Sequence, residues 1–97
     1  MHEDRLPENA GMLFVFPQES TPTFWMKHTQ IALDMLFIDD TDTIVYSVKQ
    51  AQPCVKDPCP LYTPTRPVSK VLEINGGMAN RHGIRVGDRV HYFVYDN

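Results

Sequence analysis

Basic residues are scarce in this chain. Nine Lys and Arg stand among 97 residues against twelve Asp and Glu, for a formal net charge of −3. The basic residues are scattered, and phosphate backbones call for a dense basic surface, so the balance argues against nucleic acid as a partner and against electrostatic docking on membranes. Long apolar runs are missing too. The longest, "GMLFVF" and "LDMLFI", are strand-sized and far short of the roughly 20 residues that cross a bilayer as a helix, so no membrane insertion is expected. The start, Met1-His2-Glu3-Asp4, is acidic and polar, with no signal peptide in the chain as given.

Catalytic signatures are thin. There is no Gly-x-Ser-x-Gly elbow, no His-Glu-x-x-His and no Gly-Lys-Ser/Thr phosphate loop, and Ser20, Ser47 and Ser69 have no adjacent histidine signal. Nothing in the pattern requires a cofactor. His2, His28, His82 and His91 show no paired spacing that would complete a tetrahedral zinc site with the two cysteines, so no metal is expected.

What is present is a β pattern. The apolar share of 42% with 22% charged is that of an ordinary folded domain, and the length fits one domain over residues 1–97. Proline and glycine divide the chain into short strand-like runs. Gly11 to Phe16 is one, closed by Pro17 and a polar turn to Pro22. Thr23–Thr29, Met35–Ile38, Thr43–Val48, Val68–Ile74 and Arg89–Val94 are the others. "FIDDTDTIVYSV" reads as a hairpin, because aspartates favour turns by bonding their own backbone. Gly76–His82 is the one helix-like stretch, ended by Gly83. These runs predict a mainly β protein, a sandwich or partly open barrel of six or seven short strands with one short helix before the last strand.

Two features carry candidate chemistry. In "FWMKHT", strand alternation puts Phe24, Met26 and His28 on a core face and Trp25, Lys27 and Thr29 on the other. A flat aromatic, an ammonium and a hydroxyl together suit a pocket for a polar or anionic small molecule. The competing reading is purely structural, with Trp25 packed over a strand edge and Lys27 paired. Asp34 and Glu73 are the candidate partners, since each sits in apolar surroundings where a charge is rarely left alone. The same two carboxylates, with His28, are what a carboxylate-dependent enzyme would use.

The second feature is "PCVKDPCP", a C-x4-C spacing within Pro53–Pro67, a long loop holding five prolines. A Cys54–Cys59 disulfide would close a short ring and stabilise by roughly 2 kcal/mol on the chain-entropy model. Free thiols and a thiolate metal site are the alternatives. A bridge would place the protein outside the reducing cytosol. "GIRVGDRV" reads as a turn, with Gly87 supplying the conformation and Asp88 capping it. "NGG" offers N–H groups that could hold an anion, although close packing explains its glycines equally well.

Taken in order and spacing, "LPENAGMLFVFP", "FWMKHTQIALDMLFID", "IV", "PC…CPLY", "VLEINGG" and "HGIRVGDRV" resemble the domain of unknown function 192 family over nearly the whole chain. The resemblance implies a sandwich-like β fold with one short helix before the last strand, and no established activity. Two departures follow from it. Family members carry a further N-terminal strand, whose absence here would leave a sheet edge open to homo-oligomer formation or to a partner strand. Position 28 is usually asparagine in the family, where this chain has His28.

Overall fold

The computed structural model describes residues 6–93. Six strands and one short helix follow in the order β1 (Gly11–Ser20), β2 (Phe24–Trp25), β3 (Leu33–Ile38), β4 (Ile44–Ala51), β5 (Leu61–Tyr62), β6 (Val68–Asn75) and α1 (Met78–Arg81). Strands β1, β6, β3 and β4 form an antiparallel sheet in that order, while β2 and β5 form a separate two-stranded ribbon. No barrel closes among the described residues, and the protein is mainly β as the pattern of short runs predicts.

Period-two alternation divides the core between the two faces of the large sheet. In β3, whose six residues are all buried, Leu33, Met35 and Phe37 point to one side with Met26, Val68 and Val71. Leu36 and Ile38 point to the other with Ile44 and Ala79. A central strand covered on both faces is apolar throughout, which explains the "LDMLFI" run. The ribbon closes the first face. Phe24 stacks edge-on between Phe14 and Phe37, at 5.6 and 5.9 Å between ring centroids, and Phe37 continues the row to Tyr46 at 5.5 Å. Helix α1 and the segment around Ile84 and Val90 cover the second face.

Several boundaries differ from the expectation. Strand β1 runs through Pro17 to Ser20, with an irregular register between Val15 and Ser20. It lies at the sheet edge, where a residue lacking an N–H costs no ladder bond. The expected strand over 23–29 shrinks to Phe24–Trp25, because the chain turns at Met26, whose carbonyl accepts from Thr29 N–H at 3.2 Å. The loop from Pro53 to Pro67 contains β5, which pairs Phe24 with Tyr62 and Trp25 with Leu61. The helix is confined to four residues. After it, Arg89 makes only a bridge to Thr43, and the end of the expected last strand lies outside the described residues. The 85–88 turn forms as read: Gly87 has φ 100° and the Asp88 carboxylate accepts Arg85 N–H at 2.8 Å. No helix among the described residues is long and apolar enough to cross a membrane.

Candidate functional site

The site is built around Lys27 by the turn that ends the ribbon. Met26 is fully buried and anchors this turn to the core. Its carbonyl also accepts Cys54 N–H at 3.2 Å, and Lys27 bridges in parallel to Cys54. The cysteine loop is thereby fixed alongside the turn. Cys54 and Cys59 are joined by a disulfide of 2.10 Å, their Cα atoms 5.7 Å apart. With both sulfurs bonded to each other, neither is a thiolate for a metal or a free thiol.

Alternation holds from Phe24 to Lys27 and then fails. His28 takes the left-handed conformation, with φ 67°. This swaps the expected faces: His28 is exposed, while Thr29 is buried at 4% exposure. Both still border one cleft of about 180 Å³, with Lys27, Gln30, Cys54 and Val55. The Lys27 ammonium lies 5.4 Å from the centre of the Trp25 ring and 2.7 Å from Asp57 Oδ2. Asp57 belongs to the ring closed by the disulfide. Trp25 is 46% exposed, its cross-strand partner Leu61 66% and Val55 93%. The cation therefore sits in a solvent-facing apolar patch.

Asp34 and Glu73 occupy other places. They stand on neighbouring strands one register step apart, Asp34 opposite Ile74 and Met35 opposite Glu73. Successive strand residues face opposite ways, so Asp34 shares the α1 side of the sheet and Glu73 shares the ribbon side with Met35. They do not form a carboxylate pair. Asp34 is fully buried. Its Oδ1 accepts Gln50 N–H at 2.8 Å and Gly77 N–H at 3.1 Å, and its Oδ2 accepts Ala79 N–H at 2.8 Å. The anion that "NGG" was suited to hold is thus the protein's own Asp34, reaching across from β3 to satisfy the start of α1. Glu73 is 1% exposed. Orientation of Lys27 falls to Asp57, which unlike Asp34 and Glu73 lies in an exposed loop. The signal was available in "CVKDPC", where a carboxylate sits inside a loop that a disulfide can close.

Two larger clefts open on the α1 side of the sheet, of about 310 and 490 Å³, and both border Leu72 and Ile84. The smaller of these is mainly apolar, and the Glu8 carboxylate at its rim is engaged by Arg81. Size alone favours these clefts. The Lys27 cleft is the better candidate because it borders a cation, itself 5.4 Å from the Trp25 ring, and a residue in the left-handed conformation.

The comparisons with known proteins agree with this architecture. A protein of unknown function from Novosphingobium aromaticivorans superposes with a TM-score of 0.86 and 34% identity, over 95% of this chain and 64% of that one. A candidate transcription regulator from Sinorhizobium meliloti gives 0.83 and 36%, over 92% and 67%. The chain thus spans just under two thirds of the length of the first. No curated protein matches it. The model of the DUF192 family, described as an uncharacterised ACR, matches residues 1–92, and the chain belongs to that family.

Proposed function

We propose that the chain binds a small polar or anionic molecule, without catalysis, in the cleft bordered by Lys27. The observation that carries this reading is the position of the ammonium, exposed at 26% of its side chain between the Trp25 face and the cleft. A cation over a ring is attracted to the ring's negative face. That contact orients the ammonium while leaving it accessible to an anionic or hydrogen-bonding group. Trp25 supplies a stacking wall, Lys27 the charge, and Thr29 lies at the cleft's buried side. Asp34 and Glu73 are assigned no role in this reading, since Asp34 has a structural task of its own.

Thermal unfolding against sugars, nucleotides, organic acids and metal ions tests the reading. A ligand at 100 times its dissociation constant stabilises by about 2.7 kcal/mol, and the resulting rise in Tm should vanish in Lys27→Ala. The same ligand raising Tm equally in that variant would exclude the site.

A second reading has its own observation. Strand β1 forms one edge of the sheet, and its Leu13 and Val15 side chains are 42% and 63% exposed. An edge of this kind favours pairing with another strand, including that of a second copy. Sedimentation over a range of concentrations distinguishes the two readings, because only the second makes the mass depend on concentration.

A further inference from the structure

From the surroundings of Lys27 we infer that the ligand is a carboxylate carried on a flat apolar body, and that the Asp57 carboxylate holds its anionic position in the unliganded chain. This rests on the binding reading above and specifies its ligand class.

Three observations converge. First, Asp57 Oδ2 meets the ammonium at 2.7 Å, and the two side chains are 62% and 26% exposed. An ion pair so open to water is weakly held, so an incoming carboxylate can replace it. The ammonium has three donors, and Asp57 shows the geometry that a carboxylate oxygen takes on one of them. Second, the anion position is flanked by apolar surface. Trp25 and Leu61 are register partners on the outward side of the ribbon and Val55 stands beside the cleft, all three substantially exposed. A flat ring would cover Trp25 while its carboxylate reaches Lys27. Third, the charge is matched to a monoanion. Among the described residues Lys27 is the one ammonium bordering the cleft, and the displaced Asp57 remains nearby in the ring closed by Cys54 and Cys59. A dianion such as phosphate would face that negative charge with a single cation to offset it.

The test uses the oxidised chain and its only tryptophan as reporter. Phenylacetate, its neutral amide and inorganic phosphate are titrated while the Trp25 indole N–H signal is followed by NMR. Phenylacetate should shift that signal saturably, and the amide should not. In Asp57→Asn the affinity should rise about 3-fold, the size expected when an exposed ion pair no longer has to be broken. Lys27→Met should lose the response. An amide that binds as well as the acid, or an Asp57→Asn variant that binds more weakly, would overturn the inference without any need for the Lys27 variant to fold. Phosphate binding that requires Lys27, with no response to phenylacetate, would sink the carboxylate class but leave the anion site standing. No response to any probe in the natural chain or in Asp57→Asn would remove both.

Discussion

His28 is one of three non-glycine residues, with Asp42 and Gln50, that take a positive φ among the described residues. A φ of 67° lies in the left-handed region that most L-residues avoid and that asparagine and glycine adopt more readily. The reversal at this residue ends the ribbon, buries Thr29 and turns the chain into the cleft. An asparagine there suits the geometry better than a histidine. His28→Asn is therefore expected to raise stability by up to about 1 kcal/mol, seen as a Tm increase of a few degrees. A clear fall in Tm would show that the histidine side chain contributes more than the backbone relief. Such a residue illustrates why local pattern reading stops where it does. Alternation told Met26 from Trp25 correctly, but it presumes an extended backbone, and a single left-handed residue inverts the faces of everything after it.

At the level of elements, the ribbon and the cysteine loop act as one unit. Strand β2 and strand β5 have two residues each, too few for a ribbon to persist alone. The ribbon is held by the Phe14–Phe24–Phe37 stack on one side and by the loop that the disulfide closes on the other. Replacing both Cys54 and Cys59 by serine is expected to cost about 2 kcal/mol in a urea titration. The Trp25 indole signal should respond as well, because Asp57 is then no longer held against Lys27; an unchanged signal would show that the ring does not position Asp57. The large sheet was legible in the sequence because strands covered on one or both faces leave an apolar signature. The ribbon was not, since β5 lies in a proline-rich segment where two-residue pairing leaves no periodicity. The candidate site was half legible for the same reason. Trp25 and Lys27 announce themselves by residue type. The choice of Asp57 over Asp34 depends on a loop closure and a strand register that composition does not encode.

Across the whole molecule, charge sets a pH window for the fold. The hydrogen bond from Lys70 to Asp42, at 3.0 Å, is the main reason its ammonium titrates above the ordinary lysine range. Burial likewise pushes the Tyr92 phenol up, with Lys70 5.4 Å from its ring. A group whose folded value is raised stabilises fully below its unfolded value. That contribution fades as pH climbs through the folded value. Asp39 runs the other way: the hydrogen bond from the Thr41 hydroxyl, at 2.7 Å, lowers its carboxyl. Its contribution is present above the unfolded value and is lost as pH falls through the folded one. Urea midpoints should therefore be level near neutrality, decline above about pH 10 and decline below about pH 4. Lys70→Met should remove the lysine part of the alkaline decline, leave the part carried by the Tyr92 phenol, whose rise Lys70 opposes, and leave the acid side unchanged; an alkaline limb as steep as before would assign that decline to other groups.

The three backbone bonds accepted by Asp34 also have a meaning in time. The first amides of a helix ordinarily exchange with solvent fastest, since they lack partners within the helix. Here Gly77 and Ala79 donate to a carboxylate more than forty positions upstream, so α1 cannot release them without parting from β3. Their deuterium uptake should be as slow as that of amides in the middle of β3 and β6, and slower than at the far end of α1. In Asp34→Asn it should become fast. On this view the four residues of α1 have no independent lifetime, and the clock of the helix is that of the sheet beneath it.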